Sequence, residues 1–341
     1  MILSVIVPAR NEQDCVGECL RSLVAQQEEG WRLGREWEIF LVDDHSTDET
    51  RAIALGVAGV TLLDAPKLEK GWTGKANAAW AGAQAARGEW LLFTDADTVH
   101  EPGSASRAIV EAERHEVAML SYSPRQIVRG FWQRALMPLV FSELAVMYPA
   151  AKVSDPATQL AAANGQFLLV RRDVYFTNGG HEALKDAVLE DVGLARVVKR
   201  SKQGLRFRYA PEAVSARMYR GLGAMLEGWT KNLALLFGNP LAIAAWRLLD
   251  LPLLFGLPLL AFWEYEVSAY RILWIVVLLI WGRTLWRFYG RVAKSNFPFV
   301  DCVLAPLAVP LFAALLYRSW FNHTVTKRVS WKGREYASSN R

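Results

Sequence analysis

The sequence has few of the features that mark several large classes of protein. It contains only three cysteines in 341 residues, so a disulfide framework is excluded. Cys15 and Cys19 stand four residues apart on a predicted helix, and we expect both to be reduced thiols in a core. The apolar run at residues 2–7 is too short for the hydrophobic part of a signal peptide, and no basic residue precedes it. We therefore expect the N-terminal part of the chain to stay in the cytosol.

A strong net charge is also absent, and the charged residues are unevenly distributed. The formal net charge is +5 at pH 7, and charges are sparse at residues 233–282. The later basic residues cluster around apolar runs: Arg283, Arg287, Arg291, Lys294, Arg318, Lys327, Arg328, Lys332 and Arg334. This pattern favours contact with the cytoplasmic face of a membrane, and it disfavours nucleic acid as a partner.

Apolar, β-branched runs alternate with helical patterns over most of the chain. Strands are predicted at residues 3–7, 38–42, 60–63, 90–93, 117–121, 166–170 and 205–209, and helices at 14–27, 48–56, 75–86, 104–113, 190–200 and 222–237. This alternation is typical of βαβ units, in which helices cover a mostly parallel sheet. We expect an α/β domain at residues 1–240.

Two later stretches, residues 248–263 and 272–286, approach the length needed to cross a bilayer. Glu264 and Glu266 between them suit a short outer loop. A third apolar run, residues 300–316, contains Pro306 and Pro310, and a span there would place the basic tail outside the cell. We therefore predict a membrane region at residues 241–320 with two spanning helices and a re-entrant or third segment. A basic cytoplasmic tail follows at residues 321–341.

The segment at residues 128–153 mixes aromatic and aliphatic residues with Arg129, Arg134 and Lys152. It is compatible with a helix that lies flat on the bilayer. It is equally compatible with an ordinary helix packed on the sheet, because an apolar stripe does not distinguish lipid from core.

Two carboxylates, Asp95 and Asp97, directly follow the predicted strand at residues 90–93. Ligands of open parallel sheets bind at the carboxyl ends of strands. There, two carboxylates one residue apart can share one divalent ion, and that ion would bridge a diphosphate. The commoner explanation of such a pair is a loop rich in solvated acids. The residues at the neighbouring strand ends are therefore needed to support a metal site.

Polar residues also follow the first two strands. The first ends in Pro8-Ala9-Arg10-Asn11-Glu12, and the second is followed by Asp-Asp-His-Ser-Thr-Asp at residues 43–48. Here the sequence resembles the family 2 glycosyltransferases, whose first two strands end in Pro-x-x-Asn-Glu and Asp-Asp-x-Ser-x-Asp. The resemblance implies a GT-A fold and contacts to the base and ribose of a nucleotide from Pro8, Arg10, Glu12, Asp43 and Asp44. Helix capping is the alternative role for Asn11 and Ser46.

A segment before the third helix, Gly71-Trp72-Thr73-Gly74-Lys75-Ala76-Asn77, places a lysine and backbone amides where an anion can dock. Its spacing is not that of a P-loop, which argues against an ATPase. A closely similar segment occurs in family 2 enzymes that act on hopanoids, carotenoids and ceramide-like lipids. By that resemblance, Lys75 and Asn77 belong to the donor site.

Glu190 and Asp191 open a predicted helix and match the second acidic motif of the family. The resemblance assigns Asp191 as the general base, since an acceptor hydroxyl must lose its proton as it attacks the sugar. The alternative is that both acids only complement the helix dipole. His181, in the preceding loop, is predicted to be a turn residue.

Arg217-Met218-Tyr219-Arg220-Gly221 falls where family members carry Gln/Arg-x-x-Arg-Trp. Arg217 and Arg220 are predicted to neutralise the departing diphosphate. Gly221 stands in place of the tryptophan, which argues against processive polymer synthesis. Trp229 either supplies an aromatic surface in its place or packs in a core. The tail at residues 329–336 also resembles lipid-modifying members, so the resemblance covers nearly the whole chain.

Together with the resemblance, these patterns predict a hexosyltransferase that uses Mg²⁺ or Mn²⁺ and transfers one sugar from a nucleoside diphosphate sugar, most readily a UDP-sugar. The resemblance implies that the transfer inverts the anomeric centre. The acceptor would be a membrane lipid: a hopanoid, a carotenoid, a sphingolipid-like molecule or a polyprenyl phosphate. We expect a multi-pass protein of the inner membrane with its catalytic domain facing the cytoplasm. The alternatives are a membrane-associated nucleotidyltransferase and a catalytically inactive binding or scaffold protein.

Overall fold

The computed structural model describes residues 1–26, 28, 30–267, 271–331 and 333–337. These residues form two compact units. The first comprises Met1–Ile127 and Tyr148–Met218, and the second comprises Val128–Met147 and Tyr219–Arg341. The chain therefore leaves the first unit for twenty residues and returns to it before the second unit is completed.

The first unit is built on a seven-stranded sheet. Its strands are β1 (Leu3–Ala9), β2 (Trp37–Asp43), β3 (Val60–Asp64), β4 (Trp90–Phe93), β6 (Met119–Ser123), β8 (Leu168–Arg171) and β9 (Leu205–Tyr209), in the order β3-β2-β1-β4-β8-β6-β9. Only β8 runs antiparallel to its neighbours. The mostly parallel α/β sheet predicted from the sequence is confirmed.

A second, three-stranded sheet was not predicted. It joins β5 (Thr98–His100), β10 (Val214–Ala216) and β7 (Arg125–Gln126) in that order. These strands are only two or three residues long, too short for an alternating apolar pattern to be recognised. They fasten the segment after β4 to the segment that leads to Arg217.

Helices cover both faces of the large sheet. They are α1 (Val16–Val24), α2 (Thr50–Leu55), α3 (Gly74–Ala85), α4 (Ser104–Arg114), α6 (Ala150–Ser154), α7 (Arg172–Thr177) and α8 (Glu190–Arg200). Successive residues of β1 enter opposite cores: Val5 and Val7 pack with α1 and α4, whereas Ile6 packs with α3 and α8. This alternation is what a strand buried on both faces requires.

Helix α3 approaches the sheet closely because its inner face is made of alanine and glycine. A Cβ at Gly82 would lie 2.5 Å from Cγ2 of Ile6. The Thr73 hydroxyl accepts from the Ala76 N–H at 3.3 Å and so caps the helix. Lys75 is thereby fixed in the first turn, at the edge of the sheet where β1 and β4 end.

The second unit is helical. Its helices are α5 (Gly130–Met147), α9 (Leu222–Leu236), α10 (Pro240–Leu248), α11 (Leu257–Val267), α12 (Arg271–Val292), α13 (Phe299–Cys302) and α14 (Val309–Phe321), and β11 (Arg328–Trp331) pairs with β12 (Arg334–Ala337). Short π-helical turns occupy Pro252–Gly256 and Asn322–Thr326. Helix α5 falls within the predicted segment at residues 128–153, and its middle is buried among the helices of this unit.

Among the described residues, one helical stretch is long and apolar enough to cross a membrane, Pro240–Leu260 with 21 residues. The first predicted span, residues 248–263, overlaps it, and the second, residues 272–286, lies within α12. Glu264 and Glu266, which we expected in a loop, belong to the last turns of α11. The third apolar run is divided among α13, a 3₁₀ turn at Ala305–Ala308 and α14; part of it is buried in the unit, whereas Val300, Val303 and Leu307 are exposed.

Candidate active site

The carboxyl ends of β1, β2 and β4 meet at one edge of the large sheet, because these strands run parallel and are neighbours. The loops that follow β1 and β2 are bonded to each other there. The Asp44 N–H donates to the Ala9 carbonyl at 2.8 Å, and Arg10 Nη1 donates to the Asp44 carbonyl at 2.8 Å. The convergence predicted from the strand ends is therefore present in the fold.

Asn11 and Ser46 have a different role from the helix capping considered for them. The Asn11 N–H donates to Ser46 Oγ at 3.0 Å, and the Thr47 N–H donates to Asn11 Oδ1 at 2.9 Å. The N-cap positions of α1 and α2 are Cys15 and Glu49. Asn11 and Ser46 thus join the two loops, and the capping interpretation is wrong because both residues precede the helix starts.

Asp43 is buried, and a cation stands beside it. Arg51 Nη1 lies 3.3 Å from Asp43 Oδ2 and also pairs with Asp64. The Ser46 N–H donates to both carboxylate oxygens of Asp43, at 3.3 and 3.4 Å. The carboxylate is therefore held in one orientation at the strand end, where the sequence predicted a nucleoside contact.

Asp95 and Asp97 lie in the turn between β4 and β5. The Arg217 N–H donates to the Asp97 carbonyl at 3.1 Å, so the backbone of Arg217 lies directly beside this turn. Burial raises the pKa of Asp97, and the charges of Asp95 and Glu12 raise it further. The turn therefore concentrates negative charge from two different strand ends.

A buried polar cluster lies beneath this turn. Thr94 Oγ1 lies 3.0 Å from Thr98 Oγ1 and 2.9 Å from His100 Nε2, and Cys19 Sγ lies 3.5 Å from Thr98 Oγ1. Burial lowers the pKa of His100 to about 3 and raises that of the Cys19 thiol to about 12. Both groups are therefore neutral at physiological pH. The expectation that Cys15 and Cys19 are reduced core thiols is confirmed, since both are buried and free.

Lys75 connects the acidic turn to the start of α8. Its ammonium lies 2.7 Å from Asp95 Oδ1 and 2.9 Å from Glu190 Oε1. Desolvation lowers the pKa of Lys75, but the carboxylates of Asp95, Glu190 and Asp191 outweigh it and hold that pKa well above its usual value. Lys75 is therefore positively charged at physiological pH. It lies among three carboxylates that are distant from it in the sequence.

Glu190 and Asp191 are the first two residues of α8. Asp191 Oδ2 accepts from the Gly165 N–H at 2.8 Å. Burial raises the pKa of Asp191, and the neighbouring Glu190 raises it further. A Cβ at Gly165 would lie 2.9 Å from Lys75 Nζ and 3.5 Å from Asp191 Oδ2. The absence of a side chain at position 165 therefore lets Asp191 and Lys75 approach the backbone at this point.

These groups line one small pocket. Its walls are Pro8, Lys75, Ala79, Phe93, Thr94, Asp95, Gly165, Leu168, His181, Glu190 and Asp191. His181 lies in a turn, as predicted, and its Nδ1 is 2.8 Å from the Tyr175 hydroxyl. Burial lowers its pKa to about 4, so a neutral imidazole forms part of the wall.

The remaining predicted residues lie farther from this pocket or in the other unit. Asn77 is buried, and its amide donates to the Pro66 carbonyl at 2.8 Å. It therefore holds the loop before α3. Arg220 belongs to the second unit, as does Trp229, which is 2 % exposed and packs against Tyr219. Trp229 is thus a core residue.

Comparison with known proteins identifies the family. Residues 4–176 match the model for glycosyl transferase family 2. The 4,4'-diaponeurosporenoate glycosyltransferases of Staphylococcus aureus strains MRSA252 and USA300 are 27% and 26% identical over 348 aligned residues, covering 99% of this chain and 88% of each relative. The mannosyltransferase PcManGT from Pyrobaculum calidifontis, solved with GDP-Man and Mn²⁺, has a TM-score of 0.53 and 19% identity, covering 95% of this chain and 87% of its own. That likeness supports the GT-A-like fold. Because the family model covers half of the 341 residues, the chain belongs to glycosyl transferase family 2.

Proposed function

We propose that this glycosyltransferase moves one sugar from a nucleoside diphosphate sugar to a lipid acceptor at the membrane, with inversion at the anomeric carbon. The observation that carries the proposal is the meeting of Asp95, Glu190 and Asp191 around Lys75 at the strand ends. Such a site supplies a cation for a diphosphate and a carboxylate for an acceptor proton within one pocket. A UDP-sugar is the first donor to test.

The acidic turn fits Mg²⁺ or Mn²⁺. Within the described residues, no three Asp, Glu, His or Cys side chains are grouped closely enough to enclose a metal ion. Magnesium is usually held by one or two carboxylates together with water and substrate phosphates, which suits Asp95 and Asp97. Burial raises the pKa of Asp97 most, and the charges of Asp95 and Glu12 raise it further; a cation beside these carboxylates would offset their repulsion. When bound, the metal would neutralise charge on the leaving diphosphate.

Asp191 is our proposed general base. Its carboxylate is fixed by the Gly165 N–H and lies at the N-terminus of α8. A carboxylate whose pKa is raised by burial and by Glu190 is a stronger base than an ordinary aspartate. It would take the proton of an acceptor hydroxyl or phosphate as the acceptor oxygen bonds to the anomeric carbon, and the diphosphate would leave from the opposite side.

Lys75, Arg217 and Arg220 are proposed to bind the diphosphate. The Lys75 ammonium already lies beside the acidic turn, and the backbone of Arg217 is bonded to it. Pro8, Arg10, Glu12, Asp43 and Asp44 occupy the neighbouring strand ends, and we propose that they receive the base and ribose. Asn77 would act through the loop that it holds.

The second unit is proposed to meet the membrane. Its large apolar side chains are widely exposed, including Trp246, Leu259, Phe262 and Trp286 at 66, 70, 69 and 82 %. Large apolar surfaces exposed to solvent mark sites of interaction, of which a membrane is one. The names of the Staphylococcus relatives support an acceptor of the carotenoid type. We propose two membrane helices at residues 241–320, a re-entrant or third segment at 300–316, and a multi-pass inner-membrane protein whose catalytic domain and basic tail face the cytoplasm.

Two substitutions test the roles of the acids. Asp191→Asn should abolish sugar transfer but preserve nucleotide binding, whereas Asp97→Ala should weaken metal-dependent binding itself. Purified protein would be incubated with a panel of nucleotide sugars and a total lipid extract, and products with a hexose-sized mass gain would be sought by mass spectrometry. Full transfer by Asp191→Asn would remove the base assignment.

The matched control is Asp173→Asn, because Asp173 is also an acid in the first turn of a helix, α7, but is exposed. If the acids of α8 served only the helix dipole, the two asparagine variants would behave alike. Donor hydrolysis in the absence of lipid separates an enzyme from an inactive scaffold, which would release no sugar.

A further inference from the structure

The side chain of Gln166 faces the second carboxylate of the acidic turn. Its Nε2 lies 3.4 Å from Asp97 Oδ1 and 3.5 Å from Asp97 Oδ2. In the part of the chain that the structure describes, no other side chain donates to this carboxylate. Gln166 is 2 % exposed, so its amide cannot turn to solvent instead.

A second glutamine fixes which end of this amide faces Asp97. Gln126 Nε2 donates to Gln166 Oε1 at 2.9 Å. The reversed amide would place its oxygen against the Asp97 carboxylate and its NH₂ group against that of Gln126, so these contacts would no longer be hydrogen bonds. With Gln126 Nε2 as the donor and Asp97 ionised, the observed orientation satisfies both neighbours, and it presents N–H groups to Asp97.

The backbone around Gln166 is also tied to the strand that carries the turn. The Thr94 hydroxyl donates to the Gln166 carbonyl at 2.8 Å, and Gln166 N–H donates to Asn164 Oδ1 at 3.0 Å. Gln126 lies on β7, opposite Ala216 of β10. The residue after Ala216, Arg217, donates its N–H to the Asp97 carbonyl. Thus Arg217, which follows the three-stranded sheet, bonds the Asp97 carbonyl. Gln166, which lies just before β8, faces the Asp97 carboxylate.

We infer that Gln126 and Gln166 are positioning residues that hold the Asp97 carboxylate in its metal-binding orientation. Groups that hydrogen-bond a metal-binding carboxylate orient it and commonly change metal affinity by about 10–100-fold when they are removed. The Nε2 distances exceed the usual 2.7–3.2 Å for N–H···O contacts, so the amide leaves both oxygens available to a cation. This inference rests on the proposed metal role of Asp97.

The test is the affinity of the full-length protein in detergent for Mn²⁺ alone, measured by electron paramagnetic resonance. Gln166→Met keeps the length and volume of the side chain but removes its donor, and it should weaken Mn²⁺ binding by about 10-fold or more. Gln126→Met should act in the same direction with a smaller effect. The control is Gln26→Met, because Gln26 is a buried glutamine that bonds Glu101 and Ser104 instead.

A double-mutant cycle separates positioning from general damage to the fold. If Gln166 acts through Asp97, then Gln166→Met should add nothing once Asp97→Asn is present. Wild-type Mn²⁺ affinity in Gln166→Met, or an equal loss in the Asp97→Asn background, would overturn the inference. If Gln166→Met fails to fold, as judged by its thermal unfolding, the Gln126→Met arm decides in the same way.

The comparison between the wild type and Asp97→Asn reports on the proposed metal site itself. If these two bind Mn²⁺ equally, the metal assignment is wrong and the positioning role falls with it. If they differ while Gln166→Met matches the wild type, the metal assignment stands and only the positioning role is rejected.

Discussion

Replacing Lys75 by methionine should destabilise the protein in a way that depends on pH. The substitution keeps the aliphatic part of the side chain and removes the ammonium that lies 2.7 Å from Asp95 and 2.9 Å from Glu190. Asp191 has a raised pKa through burial and the charge of Glu190, and Lys75 is among the groups that lower it. Without that cation, the carboxylates face one another uncompensated.

The size of the effect follows from distance and exposure. At an effective dielectric constant of about 20, each contact at these distances has a gross Coulomb energy of about 6 kcal/mol. The Lys75 and Asp95 side chains are 41 % and 30 % exposed, so solvent screening and the relief of desolvation remove most of this energy. We expect a net loss of about 1–3 kcal/mol, which corresponds to a fall in Tm of roughly 2–10 °C for a unit of this size.

The sign of the pH dependence is fixed by linkage. Removal of Lys75 takes away a charge that lowers the pKa values of Asp191 and Asp97, so in the folded state these values rise further above those in the unfolded chain. The folded variant then binds protons more tightly than the unfolded one, so its stability is present at low pH and is lost as the pH rises through the raised values. The deficit relative to wild type should therefore be largest at neutral pH and shrink at about pH 5.

The measurement is thermal unfolding followed by circular dichroism at both pH values, in detergent. Lys75→Arg should retain most of the stability, because it keeps the charge. Lys70→Met is the matched control, since Lys70 is exposed in the same segment and its loss changes the net charge equally. If Lys75→Met and Lys70→Met lose the same Tm, or if the Lys75→Met deficit is independent of pH, the reasoning is refuted.

Three further predictions concern stability and rate. Glu143→Ala should cost about 3 kcal/mol in the free energy of unfolding, because it leaves the partly buried guanidinium groups of Arg247 and Arg291, at 3.5 and 3.2 Å, without that partner; urea unfolding measures this. Lys199→Met should cost about 2 kcal/mol, because the Lys199 ammonium lies 2.7 Å from the Leu160 carbonyl and 3.2 Å from the Thr158 hydroxyl; thermal unfolding of the variant measures this. The acid limb of kcat/KM should lie above the pH typical of a free aspartate, because burial and Glu190 raise the pKa of Asp191 and only its ionised form accepts a proton.

Each of these predictions has a control or a contrary outcome. Glu227→Ala removes a partly exposed acid from the same unit and should change stability by less than about 0.5 kcal/mol, and an equal loss in Glu143→Ala would contradict the first prediction. Lys152→Met removes an exposed lysine beside the same loop, and it should behave as the wild type. An acid limb that follows the intrinsic pKa of the acceptor, and that Glu190→Gln leaves in place, would contradict the third.

The strand ends of the first unit were predictable because their placement depends only on local pattern and topology. Once residues 3–7, 38–42 and 90–93 are parallel neighbours, the residues that follow them must share one edge of the sheet. Arg10, Asp44 and Asp95 lie there as expected. The antiparallel strand β8 carries no such signal, since a short apolar run does not reveal its direction.

Gly165, Gln166 and Arg51 were missed for a different reason. Each acts by contact with a partner that the sequence does not identify: the clearance at Gly165 is set by Lys75, and Gln166 is oriented by Gln126. The residue type alone, glycine or glutamine, does not indicate from one sequence that a position belongs to a functional site. Arg51 stands eight residues after Asp43, in the first turn of α2, and the two side chains meet only because the loop between them folds back.

The second unit shows that charge pairing in the fold can account for charged residues inside an apolar stretch of sequence. The stretch Pro240–Leu260 contains Arg247 and Asp250, and charges inside an apolar helix normally argue against burial. In the fold, Arg247 Nη1 lies 2.8 Å from Asp250 Oδ2, and Arg291 Nη2 lies 3.0 Å from the same oxygen. Glu143 comes from α5, about a hundred positions earlier in the chain, and completes two pairs of opposite charges. A hydropathy average along the sequence is lowered by Arg247 and Asp250. In the fold, two acids and two arginines pair with one another, so the charges of the cluster balance. Because α5 leaves the first unit to supply Glu143, the segment at residues 128–147 is required to keep those charges paired, whichever surface the rest of α5 meets.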